Sequence, residues 1–381
     1  MHFVVFRVKR VKIMAAQGGL AMEWMMAKGR SSIELMALIY ALTYLPNIVL
    51  TKALSTQVNP MLGRPLTGLE LLPSTIIISA VFTYAFIWLS GWWRDAHQVE
   101  IGGRRFPCPT RWTLLSGLGT AMVLFTVPLS FTFVGVSIPF IQLLMRGDIL
   151  IIAPLVDLIG GRKVRWYSWV ALALCAVGLA LTISQRGGIN LPPLALLTIA
   201  LYTIGYFIRL SVMTRTAKDG ISGSARRYFV EEKIVALPVA IGFLALMSAL
   251  GLGAQGDQLG FGFVTIWSSP QLPLIAAIGF TAFLVSIFSA LILLAKHENS
   301  YCVPLERSAS ILAGLVAAFV LAWAIGTPAP TGAELGGAVL LIIAILVLSL
   351  GPRMGRTIED EPAEALAVEP EAAILPGTNR S

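Results

Sequence analysis

Charge is what this chain has least of. Asp, Glu, Lys and Arg make up 13% of its 381 residues, about half the share of an ordinary soluble domain, roughly 25%. Chemistry-bearing residues are equally sparse. The three histidines, His2, His97 and His297, do not cluster. The three cysteines, Cys108, Cys175 and Cys302, show neither a pairing pattern nor metal-ligand spacing, which argues against a disulfide framework and a zinc site. No HExxH, paired metal carboxylates, GxSxG or Walker loop occurs. An intramembrane protease or transferase would need such a nucleophile or metal set. An ATP-driven pump would need a nucleotide domain, and no loop is long enough to form one. The chain therefore reads as a non-enzyme, with no cofactor and no metal expected.

What is abundant is apolar surface, at 56% of residues and a mean hydropathy of +0.80. Ten runs are long enough to cross a bilayer: 33–53, 70–92, 112–134, 137–159, 166–184, 192–214, 229–252, 271–295, 301–325 and 332–350. A transmembrane β-barrel is excluded, because its strands alternate in polarity rather than run solidly apolar. The expected fold class is an all-α polytopic membrane protein. Its organisation reads as an N-terminal segment 1–32, a five-helix repeat 33–184, an external loop 185–191, a second five-helix repeat 192–350 and a disordered tail 351–381. Met14, Met22, Met25 and Met26 are alternative starts within the N-terminal segment, which has no apolar stretch long enough for a signal peptide. The tail from Pro352 is acidic and proline-rich and cannot bury a core.

The net charge of +8 invites a nucleic-acid reading, but position argues for orientation in a membrane. Alternate loops hold Arg94, Arg104, Arg105, Arg111, Arg162, Lys163, Arg165, Arg215, Lys218, Arg226, Arg227 and Lys296; the others hold only Lys52, Arg64 and Arg186. This positive-inside bias places both termini in the cytoplasm. Trp88, Trp92, Trp93, Trp112, Trp166 and Trp169 gather at the same helix ends, as an interfacial belt does. The lipid bilayer is thus the expected partner, with anionic lipid contact secondary. A bacterial inner membrane is the preferred location.

Landmarks recur at an offset of about 160–165. Tyr40 and Tyr44 match Tyr202 and Tyr206, Pro73 matches Pro238, Gly119 matches Gly279, and Gly161 matches Gly326. Five spans are an odd number, so the second half re-enters the bilayer from the opposite side. The expectation is an inverted repeat with a site near midplane where the halves meet.

The stretch 137–180 carries a family resemblance: a helix, a short glycine-ended basic turn, a tryptophan, then a small-residue-rich helix. It resembles the ten-helix form of the drug/metabolite transporter superfamily. Gln142-Leu-Leu-Met-Arg146-Gly147 resembles the Q-x-L-R-G run of its nucleotide-sugar-transporter-like branch. Gly160-Gly-Arg-Lys departs from the glycine–glutamate turn common in the metabolite-exporter, EamA-like branch. The resemblance covers about 33–350. It implies secondary transport of a small metabolite, amino-acid-like or nucleotide-sugar-like.

Charged groups at mid-bilayer are costly, so the few present are the candidate site. Arg146 lies about 14 Å of helix into the fourth span, with Gln142 four residues earlier on the same face. Either both line a cavity and grip an anionic or zwitterionic substrate, or Arg146 is a strut paired with Asp148 or Asp157. Asp148 projects from a different face and is a candidate proton-coupling carboxylate. In the ninth span, Glu306 is the stronger proton-coupling candidate and Arg307 a substrate ligand; the alternative is a self-neutralised pair near the interface. Inversion puts Gln142 and Glu306–Arg307 in two girdles flanking the midplane. Tyr40, Tyr44, Tyr202 and Tyr206 form i, i+4 pairs that either wall the substrate or simply pack. Glu231, Glu232 and Lys233 read as shallow interfacial charges, and Arg209 as a snorkelling one. Pro46, Pro128, Pro139, Pro154, Pro238 and Pro304 bend spans, and Gly332-x-x-x-Gly336 allows close packing of the last helices together or in a homodimer.

The expected function is a secondary active transporter of a small polar or anionic metabolite, working by alternating access. The rivals are a membrane scaffold or sensor with a dry core, and a lipid-headgroup translocator with a lateral opening.

Overall fold

The computed structural model describes residues 30–133, 136–147, 166–185, 191–217, 223–251, 253–295 and 299–359. Among them lie eleven α-helical segments. These are α1 (Arg30–Leu54), α2 (Gly68–Ser90), α3 (Arg111–Ser130), α4 (138–147), α5 (Trp166–Gln185), α6 (Pro193–Thr216), α7 (Ser224–Ala249), α8 (Gly253–Phe263), α9 (Leu272–Leu293), α10 (Asn299–Ile325) and α11 (Gly332–Glu359). Each of the ten expected spans holds one helix; α8 is additional.

Six helices, α1, α2, α3, α6, α9 and α10, are long and apolar enough to cross a membrane. Their outward faces carry exposed Leu38, Leu42, Val81, Leu115, Leu197 and Phe280, which water would not favour. The build is that of an integral membrane protein. The helix α7 is not among the six, and Arg226, Arg227, Glu231, Glu232 and Lys233 lie in its first half.

Helix ends follow local chemistry. Thr67 and Thr110 cap α2 and α3 in capping boxes with Glu70 and Thr113. Glu70 also accepts two hydrogen bonds from Arg64 in the preceding loop, which raise the Arg64 pKa above its ordinary value. The loop between α2 and α3 is not wholly irregular. Gln98–Ile101 (β1) and Arg104–Pro107 (β2) pair antiparallel, with Val99 opposite Phe106 and Ile101 opposite Arg104. Gly102 and Gly103 form the two-residue turn with φ of 59° and 76°, as such hairpins require. The expected helical class holds, amended only by this one short hairpin, whose Gly-Gly signal was readable in the sequence.

The expected disordered tail is also corrected at its start. Residues 351–359 continue α11 through Pro352. Extending a formed helix adds a hydrogen bond per residue without a new nucleus, which offsets the donor that proline lacks. The remaining tail, 360–381, lies outside the described residues, as do Asp148, Pro154, Asp157 and Gly161.

Packing runs across the two halves. The helix α3 packs on α6 and α7, α9 packs on α1 and α2, α10 packs on α1, and α5 packs on α11. Glycines set the crossings. A Cβ on Gly119 would lie 2.6 Å from the Gly205 carbonyl oxygen, and one on Gly205 would lie 2.5 Å from that of Gly119. A Cβ on Gly279, the glycine matched to Gly119 in the sequence, would meet Ile78 at 2.7 Å. The last helices of the halves pack together through Gly178 and Gly337, whereas Gly332 has nothing within 4 Å.

Candidate functional site

The crossings leave a cavity bounded by α1, α2, α3, α4, α6, α7, α9 and α10. Much of its wall is apolar: Val123, Leu124, Val127, Leu237, Ile278 and Val285. Two groups of buried polar side chains face it.

The first group unites most of the expected site residues. Arg146 on α4 donates to the Tyr202 hydroxyl at 2.5 Å and the Tyr44 hydroxyl at 3.0 Å. Arg307 on α10 donates to the same Tyr202 hydroxyl. Tyr40 donates to Glu306 at 2.9 Å and Ser289 donates to it at 3.3 Å. Glu306 Oε2 lies 3.7 Å from Arg307 Nε. The tyrosine rings complete the cluster: Tyr40 and Tyr44 are 5.5 Å apart, and Tyr202 and Tyr206 stack at 5.8 Å. The Arg307 guanidinium sits 3.8 Å from the Tyr206 ring centroid. Five helices, α1, α4, α6, α9 and α10, thus meet in one connected cluster. Helices α4 and α10 bring their arginines to the same tyrosine.

Gln142 does not join this cluster or line the cavity. Its buried amide packs against Gly314, where a side chain would collide with it, and neither amide atom has a hydrogen-bond partner. Among the described residues, Arg146 has no carboxylate within ion-pairing distance. Asp148 and Asp157, its expected strut partners, lie outside those residues.

The second group was missed. Glu231, Glu232 and Lys233 are buried, not interfacial, and Arg209 is buried, not snorkelling. The cause is the start of α7 at Ser224, five residues before the apolar run begins. Lys233 then lies about 14 Å along the helix. The spacing alone hid this; the clue was three charges side by side in an otherwise apolar stretch. Arg209 pairs with Glu232 at 2.7 Å, and Thr120 donates to the same carboxylate oxygen at 2.5 Å. Tyr228 bridges Ser116 and Glu232. Lys233 Nζ reaches Glu232 Oε2 only at 3.9 Å. Both Arg209 and Lys233 line the cavity.

Glu231 faces away from the cavity and ties down the loop between α2 and α3. It accepts from the His97 backbone N–H at 3.0 Å, contacts His97 Nδ1 at 2.6 Å and accepts from Thr113 at 2.8 Å. Beside it, Trp92 is buried against Phe86 and Phe229 rather than standing in the interfacial belt. Trp88, Trp112, Trp166 and Trp169 remain exposed, as belt residues would be.

Several buried polar atoms in and beside the cavity have no hydrogen-bond partner: the Tyr206 hydroxyl, Glu306 Oε2, Glu232 Oε2, and Nε and Nη2 of Arg307. Buried polar groups are almost always satisfied. This concentration marks a place built to meet water or a polar ligand.

No family model and no curated protein matches the chain. Solved structures do match: one aligns over 87% of this chain and all of its own at a TM-score of 0.53 and 16% identity, described only as a crystal structure of a protein. At that identity the likeness concerns the fold alone.

Proposed function

We propose that the chain is a secondary transporter that moves a small anionic metabolite across a membrane by alternating access. The observation that carries this reading is the cavity between apolar helices, lined by three buried cations, Arg146, Arg209 and Lys233, with unpartnered polar atoms around it. A scaffold has no use for so costly an arrangement.

The packing pattern supports an inverted repeat. If α1, α2, α3, α4 and α5 correspond to α6, α7, α9, α10 and α11, then α3 on α6 and α7 exchanges with α9 on α1 and α2. The α5–α11 contact maps onto itself. Such pairing lets one half rock against the other around a fixed site. In this reading the chain is a ten-helix member of the drug/metabolite transporter superfamily, in a bacterial inner membrane with cytoplasmic termini. The Glu231–His97 contacts and the Phe86–Trp92–Phe229 cluster then close the cytoplasmic side.

Substrate ligands are Arg146, Arg307, Tyr44, Tyr202 and Tyr206, with Tyr40 holding Glu306. Glu306 is the carboxylate through which a proton gradient would couple. The test is uptake into proteoliposomes with metabolite pools. Arg146→Ala is expected to abolish uptake of an anion that the wild type carries, and unchanged uptake would overturn the assignment.

A further inference from the structure

Counting charge sharpens the substrate. Among the described residues the cavity is lined by the cations Arg146, Arg209 and Lys233 and the carboxylate Glu306, with Glu232 and Arg307 in contact with Arg209 and Glu306. Arg209 takes Glu232 and Arg307 lies against Glu306. Arg146 is left with neutral tyrosine hydroxyls, and Lys233 with a carboxylate oxygen 3.9 Å away on a group already engaged. Two buried cations therefore lack a carboxylate of their own. A buried charge needs a partner.

These two cations stand apart. Arg146 is anchored at Tyr202, and Lys233 lies beside the carboxylate that Arg209 holds. Tyr202 and Arg209 are seven residues apart on α6, about 10 Å of rise. The apolar wall supplies the rest of the lining, and the unpartnered Tyr206 hydroxyl faces the same space one turn from Tyr202. The geometry points to a linear dianion as substrate: a small dicarboxylate with one carboxylate at Arg146, the other at Lys233, and a short chain between. A monoanion leaves one cation uncompensated. A zwitterionic amino acid brings an ammonium group for which no unpaired carboxylate waits. Inorganic phosphate concentrates its charge at one point and cannot serve both ends.

This assignment rests on the transport reading of the cavity. Its test is calorimetric binding to the purified full chain, with succinate, glutarate and adipate compared with butyrate, glycine and inorganic phosphate. At least one dicarboxylate is expected to bind about tenfold or more tightly than butyrate, the scale of one well-placed charge contact. Lys233→Met removes the charge and keeps an unbranched, flexible side chain one atom shorter. It is expected to bring dicarboxylate affinity down to that of butyrate measured on the same variant. Equal affinity for succinate, glutarate, adipate and butyrate in the wild type would overturn the assignment, as would a preference for glycine or phosphate; this comparison needs no variant to fold. Dicarboxylate binding without uptake in proteoliposomes would keep the dianion site and overturn transport. Uptake of another solute without dicarboxylate binding would do the reverse.

Discussion

Tyr202 is the residue on which the cavity turns. Its hydroxyl accepts from Arg146 and from Arg307, so one oxygen serves two buried guanidinium groups. Tyr206, one turn further, presents its ring to Arg307 and its hydroxyl to no partner. The two are alike in type and burial but not in what they hold. Removing an acceptor from buried donors costs about 1–3 kcal/mol. Tyr202→Phe should therefore lower the thermal unfolding midpoint in detergent, whereas Tyr206→Phe should stay within about 0.5 kcal/mol of wild type. Equal losses would show that the shared hydroxyl is not what joins the arginines. The i, i+4 tyrosines and the lone arginine in an apolar run were legible in the sequence, because both stand out against their surroundings. The Arg209–Glu232 pair was not. Its members lie on different helices, and an apolar window reports where hydrophobicity starts, not where a helix does.

At the scale of elements, the halves are fastened by close backbone approach rather than by large side chains. The α3–α6 crossing depends on Gly119 and Gly205, each occupying the space where the other's Cβ would go. Overpacking of this kind costs typically about 1–3 kcal/mol. Gly205→Ala should destabilise the protein by that amount in chemical or thermal unfolding. Gly242→Ala, on the open face of α7 with nothing within 4 Å, should not. Comparable losses from both would place the penalty in the helix itself, not in the crossing. The spacing of Gly119 and Gly279 suggested a repeat, but not that each faces a backbone or branched side chain of another helix. The short helix α8 and the β1–β2 hairpin escaped notice because both sit between apolar runs, where attention to hydropathy stops.

The whole molecule is a bundle whose helices pair across its two halves around a charged hollow. Apolar runs in the sequence marked the membrane-like character of the helices, six of which are long and apolar enough to cross a bilayer. They could not give the cavity, which arises only where α1, α4, α6 and α10 bring tyrosines, arginines and Glu306 together. The central claim is that this hollow is wet and reached alternately from the two sides. It is tested most directly by placing one cysteine at Ser286, which lines the cavity, in a protein with Cys108, Cys175 and Cys302 replaced by serine. Membrane-impermeant thiol reagent is then applied from either side of sealed proteoliposomes. The account predicts modification from both sides, slowed by saturating substrate. Protection from both sides, with the protein folded, would contradict it and leave a dry scaffold in its place.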